Sequence, residues 1–266
     1  MVNVGKYLEL AEALSEKITS GELAPGDQLP TVTELAKQFG VAPNTASRAV
    51  QVLKERGLLS GRIGGKTWVR VPPPQTVRRN TRYQAEKDLV LKSEAERRGT
   101  GVSEMDTGMA LASAHRDTLT VDVVKCPPDI AEVLGIEPGA SVLRRVGVRH
   151  PRKGAGAVTG VSYIPYEIAK QNPDLFDAGN EPWPGGSQHQ LHMLGIEVGR
   201  IEDRVTASQA TEEEAVLQDI PPSVPVIRVR KITYSTTGRA VEVNDLPFPA
   251  DRTTLIFETP LTEWDT

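Results

Sequence analysis

Short hydrogen-bonding side chains and one guanidinium crowd the start of GVAPNTASRAVQVL at residues 40–53: Asn44, Thr45, Ser47 and Arg48, with Gln51 a turn further on. Groups of this size donate and accept at close range without holding two surfaces apart, which is the chemistry needed to read base edges in a groove. Ala46, Val50 and Leu53 recur in the same stretch at helical spacing, so one stripe is buried and the polar side faces outward. A solvated helix face usually mixes Glu with Lys, yet no acid occurs between Glu34 and Glu55. Residues 31–70 hold Lys37, Arg48, Lys54, Arg56, Arg62, Lys66 and Arg70 against those two glutamates alone. A polyanion partner fits that balance better than plain solvation does.

The elements around this stretch must hold it outward. Tyr7, Ala11, Leu14 and Ile18 are spaced 4, 3 and 4, which predicts a helix over 4–20 ended by Gly21. Thr31 and Glu34 form a capping-box pair, predicting a short helix over 31–38. Gly40 breaks the chain, and Pro43 suits the first turn of a third helix that runs to about Arg56 and closes at Gly57. Two short helices joined by a Gly-containing turn outline a helix-turn-helix. LLSGRIGGKTWVRV then reads as a β-hairpin, a wing with Arg62 and Lys66 beside Gly64 and Gly65.

VPPPQTVRRNTR reads as a semi-rigid spacer, which divides the chain into residues 1–71, a linker at 72–81, and residues 82–266. Residues 82–98 read as one charged helix and 99–114 as a loop. From about 117 the pattern is strands with a few short helices, an α+β domain with a mostly antiparallel sheet, and TTGR at 236–239 reads as a hairpin turn. The charge divides too: residues 1–98 hold 16 Lys/Arg against 11 Asp/Glu, and residues 99–266 hold 15 against 24. The start of the chain lacks an apolar stretch, and no apolar run is long enough for a membrane span, so no membrane partner and a cytoplasmic location are expected. The single cysteine, Cys126, excludes an internal disulfide and reads as a buried thiol.

Residues 7–69 keep the order I..G.L.PG..LP....LA...GV...T...A...L...GL and resemble the winged helix-turn-helix of the GntR family of bacterial transcription regulators. SVLRRVGVR, PGGSQHQLHMLGIEV and VPVIRVRKITYSTTGRAVEVNDLPFPADR resemble the UTRA effector-binding domain of the HutC-type subfamily. The PGG and PADR stretches are also similar to those of regulators of actinobacterial conjugative transfer. The resemblance implies an antiparallel sheet of chorismate lyase-like fold, a small-molecule effector, a homodimer, and a double-stranded, pseudo-palindromic DNA operator. It implies DNA contacts from Thr31, Thr33 and Lys37, from Pro43, Asn44, Thr45, Ser47 and Arg48, and from Arg62, Gly64, Gly65 and Lys66 of the wing. It places the effector near Arg145, Thr159, Tyr163, Tyr234 and Glu242.

The chain departs from the family where Arg is common: Pro43 and Ser47 on the third helix, Thr33 in some members, and Gly147 where sugar-phosphate binders carry a second Arg. A different base preference and a weaker case for a sugar phosphate follow. His189 and His192 could share a metal, but no carboxylate or Cys lies close in sequence, so no metal and no cofactor are expected. The reading is therefore a DNA-binding regulator, most simply a repressor, and not an enzyme. Two alternatives stand beside it: a UTRA-like domain without a ligand that serves only dimerisation, and an enzyme of chorismate lyase-like fold.

Overall fold

The computed structural model describes residues 5–61, 65–71, 75–98, 115–151, 156–181, 183–221 and 223–262. Arg62, Gly64 and the expected loop at 99–114 lie outside the described residues. The chain forms two compact units, one of residues 1–74 with 209–225, the other of residues 75–208 with 226–266.

In the first unit α1 (Lys6–Thr19) buries Leu10, Ala11 and Leu14 against Ala46, Ala49, Val50 and Leu53 of α3 (Pro43–Glu55). Between them α2 (Val32–Phe39) starts at the predicted capping box: Thr31 accepts from the Glu34 N–H, and the Glu34 carboxylate accepts from the Thr31 N–H at 2.7 Å. Those bonds hold the Glu34 pKa below its ordinary value. Gly40 ends α2 at φ 62°, a left-handed conformation that only glycine adopts without strain, and Val41 then donates back to Ala36. Pro43 occupies the first turn of α3 as expected. The hairpin pairs β1 (Leu59–Ser60) with β2 (Trp68–Val69), and Gln28 bridges to Trp68, so the Gly- and Pro-rich loop after α1 adds a third edge. A short helix, Glu212–Leu217, belongs to this unit although it lies far along the chain.

Two expectations change in the second unit. The stretch read as linker, 72–81, contains β3 (Thr76–Arg79), which pairs in parallel with Thr253–Ile256. The helix expected over 82–98 is two helices, α4 (Arg82–Leu89) and α5 (Glu94–Arg97), because Ser93 and Glu96 form a second capping box that starts the chain afresh.

The main sheet has β4 (His115–Lys125), β5 (Ser141–Pro151), β6 (Val158–Pro165), β7 (Val198–Gln209), β8 (Pro225–Ser235) and β9 (Ala240–Pro249) in the order β4-β5-β6-β9-β8-β7. The β4–β5, β5–β6, β6–β9 and β8–β9 pairs are antiparallel, as expected. One face packs Val142, Ile232 and Val243 on α6 (Pro128–Leu134), together with the buried Cys126. The other packs Leu143, Ile164 and Val241 on α7 (Tyr166–Ala169), the 3-10 turn Pro173–Phe176 and α8 (Gly186–His192). The short helix noted above, α9 (Glu212–Leu217), connects β7 to β8, and β10 (Thr253–Ile256) completes the chain order. Among the described residues no helix is long and apolar enough to cross a membrane.

Candidate functional site

The outward face of α3 carries Asn44, Ser47, Arg48 and Gln51, all exposed, opposite the buried Ala46, Ala49, Val50 and Leu53; Thr45 is half-buried at the margin. No side chain caps the start of α3, which leaves its positive end facing outward. Arg48 stacks its guanidinium 4.0 Å from the Tyr7 ring, so the side chain is pre-ordered against α1. Lys37, Thr33, Pro43, Gly65 and Lys66 are exposed. The Thr31 hydroxyl is engaged within the capping box, donating to Glu34 at 2.8 Å.

In the second unit a cavity of about 370 Å3 lies on the sheet face that α8 covers. Cross-strand register builds its floor: Arg145 on β5 opposes Ser162 on β6, Ser162 opposes Asn244 on β9, and Asn244 opposes Lys231 on β8. Arg145 is 7% exposed, and Glu242, beside this row, is 2% exposed. The Glu242 carboxylate accepts from Ser162 at 3.0 Å and Thr233 at 3.3 Å, and lies 3.4 Å from the Lys231 ammonium. Burial alone would push its pKa up. Lys231, hydrogen bonds from Asn244 and Ser162, and the charge on Arg145 outweigh that and hold it below the ordinary carboxylate value.

Arg145 donates from Nη1 to Gln190 at 2.8 Å and from Nη2 to Glu181. Its Nε is buried with no hydrogen-bond partner. Glu181 is held in turn by Gln190 at 3.0 Å and by the Trp183 N–H at 2.9 Å. The segment then turns into α8 through Gly185, whose φ of 94° and closeness to Arg97 and His189 leave no room for a side chain. The Trp183 indole donates to His189 Nδ1 at 2.9 Å.

Burial, then the charges on Arg97 and His192, lower the His189 pKa below 6.5. A base whose folded pKa is lowered contributes stability present above its unfolded value and lost as pH falls below it. Melting temperature should therefore drop as pH is taken below 6.5, and His189→Gln should remove that part of the decline; an unchanged profile would assign the decline to the carboxylates.

Of the expected effector residues, Arg145, Thr159 and Glu242 line the cavity. Tyr163 and Tyr234 do not: they pack on the opposite face, against the α6 cluster, and Tyr234 also carries the Arg200 guanidinium 3.8 Å from its ring. Period-2 alternation puts Tyr163 out of phase with Ser162, and it is Ser162 that reaches Glu242. Sequence reasoning missed Lys231, Glu181, Gln190 and Ser162. Lys231 carried a signal, a charge out of phase with Arg228 and Arg230 and so on the face of Val229 in the strand PVIRVRKITYS. The histidine pair forms no metal cluster: among the described residues no group of three His, Cys, Asp or Glu could hold an ion.

This architecture is that of a two-part regulator, an outward-facing reading helix and a separate sheet domain with a polar cavity. Residues 6–69 match the model for bacterial regulatory proteins of the gntR family, and residues 112–254 match the UTRA domain. The chain belongs to the GntR family of DNA-binding transcription regulators, in its UTRA-containing, HutC-type branch. It is 27% identical to the transcriptional repressor NagR of Bacillus subtilis, over 94% of this chain and 93% of that one. It is 26% identical to the histidine utilization repressor of Klebsiella aerogenes, over 92% and 91%. A crystal structure of a GntR-family transcriptional regulator superposes with a TM-score of 0.61 at 23% identity, covering 97% of this chain and 98% of that one. The family and these relatives are regulators, which removes the enzyme alternative.

Proposed function

We propose that the chain is a repressor that binds a pseudo-palindromic operator as a homodimer, and that a small molecule in the β5–β6–β9 cavity controls that binding. The observation that carries the DNA part is the exposed, acid-free face of α3. Asn44, Ser47 and Arg48 read base edges in the major groove; the open start of α3, with Lys37 and Lys66, holds phosphates. Thr33, Pro43, Thr45 and Gly65 border that surface and shape its approach, and Arg62 and Gly64 add further DNA contacts. A dimer follows from two-fold reading of two half-sites. The kinship to two named repressors supports repression over activation. The cavity supports an effector over a domain that only dimerises, because a buried cation with an unmet donor is costly unless something uses it.

Anisotropy of the protein with its own upstream DNA and with a shuffled fragment, at about 50 and 200 mM salt, tests the reading. Arg48→Ala should weaken operator binding by about 1–3 kcal/mol and random DNA much less, whereas Lys66→Ala should weaken both and flatten the salt slope by about one. Equal losses on both fragments for Arg48→Ala would remove its base-reading role.

A further inference from the structure

We infer that Tyr7 is a specificity-determining residue of the DNA interface: its ring fixes the Arg48 guanidinium, so that Arg48 reads a guanine. The inference rests on Arg48 being the base reader proposed above. Three observations carry it: a cation that is held yet chemically unspent, a ring that is itself anchored, and a neighbour that leaves that ring its room.

The seam between α1 and α3 holds two arginines in different ways. Arg56, which caps α3, is tied to the Glu12 carboxylate of α1 at 2.7 Å, so its donors are used within the protein. Lys54 is spent likewise, on the Gly61 carbonyl at 3.3 Å. Arg48 lies instead over the Tyr7 ring at 4.0 Å, and among the described residues it makes no hydrogen bond or ion pair. A ring attracts a guanidinium through its face and takes none of its N–H groups, whereas a carboxylate takes them. Arg48 therefore has a fixed place and keeps every donor.

An arginine that swings freely serves a phosphate as readily as a base, and freezing its rotamers costs free energy at the moment of binding. Here the stack freezes them before DNA arrives. What remains is a planar fork with one presentation, and the acceptor pair that it matches in the major groove is O6 with N7 of guanine.

Tyr7 stands in the first turn of α1, half-buried against the core that α1 shares with α3. Gly5 precedes the helix at φ −62° and ψ 142°, a conformation that does not call for glycine. A Cβ built there would stand 2.9 Å from Tyr7 Cε1 and 3.1 Å from Cδ1, closer than the ring could accept without moving. The bare backbone at Gly5 is what leaves the ring its place beside Arg48.

Anisotropy of the full chain with its upstream fragment and the shuffled one, followed by selection from random duplexes, tests this. Tyr7→Leu keeps apolar bulk and removes the ring; Tyr7→Phe removes only the hydroxyl. Tyr7→Leu should weaken operator binding by about two- to fivefold and leave shuffled DNA and the salt slope unchanged. It should also lower the frequency of guanine at the position that Arg48→Ala makes indifferent, while Tyr7→Phe keeps wild-type affinity and preference. In the Arg48→Ala background Tyr7→Leu should change nothing, because the ring then has no guanidinium to hold. Where melting curves show that Tyr7→Leu does not fold, Gly5→Ser decides: it caps α1 well, displaces the ring, and should bring the same selective loss. Wild-type selectivity in the deciding variant, equal losses on both fragments, a Tyr7→Phe as weak as Tyr7→Leu, or another base at the Arg48 position each overturns the inference. A selective loss for Arg48→Ala to which Tyr7→Leu simply adds removes this inference alone, whereas equal losses on both fragments for Arg48→Ala remove the base-reading proposal and this inference with it.

Discussion

Lys231→Met should destabilise the protein by about 3–5 kcal/mol at pH 7, because it leaves the Glu242 carboxylate buried without its nearest cation. The loss should depend on pH with a defined sign. In the wild type the Glu242 pKa is lowered from 4.5, so this carboxylate contributes stability that is present above 4.5 and lost as pH falls. In the variant burial dominates and the pKa lies above the unfolded value, so protonation relieves the folded state. The deficit should then shrink as pH falls from 7 towards 4.5. Urea denaturation of both proteins across that range checks it; a deficit constant with pH would mean that Lys231 acts through packing along its stem rather than through charge. The double variant Lys231→Met with Glu242→Gln should recover much of the loss, which separates the two explanations again.

Leu53→Ala should cost about 2–5 kcal/mol within the first unit, because Leu53 is completely buried where α1 meets α3 and its removal leaves a cavity that two helices cannot both close. A unit of this size has a stability of the same order, so a large part of the population should lose its folded reading helix and operator binding with it. Hydrogen exchange followed by mass spectrometry locates the effect. Exchange should accelerate in residues 6–61 and stay unchanged in β5, β6 and β9. Equal acceleration in both regions would show that the two cores unfold as one.

The first unit was legible because its signals are local. A capping box, one left-handed glycine, one proline at a helix start and a 3–4 apolar spacing each act within a few residues, and each appears where expected. The break between α4 and α5 was equally local, an S-x-x-E pair at 93–96, but the charge pattern of 82–98 hid it. The cavity was legible only in part. Arg145 and Glu242 stand out as charges within apolar strands, but which residue opposes them depends on register between strands distant in sequence. Tyr163 lies one residue out of phase with Ser162, and one residue is enough to move a side chain to the other face of a sheet. Glu181 sits in a Pro- and Gly-rich segment whose composition announces a turn and says nothing about what it reaches.

The parallel pairing of β3 with β10 was invisible for the same reason, and it has a consequence in time. Gln75 bonds to the Asp251 carbonyl 176 positions away, and Thr76 pairs with Thr253. During synthesis β3 emerges early and has no partner until β10 has left the ribosome, so this two-stranded clasp forms after the strands of the main sheet are available to one another. A ribosome that stalls short of residue 253 therefore leaves a folded first unit joined to a second unit whose β3 has never found its partner.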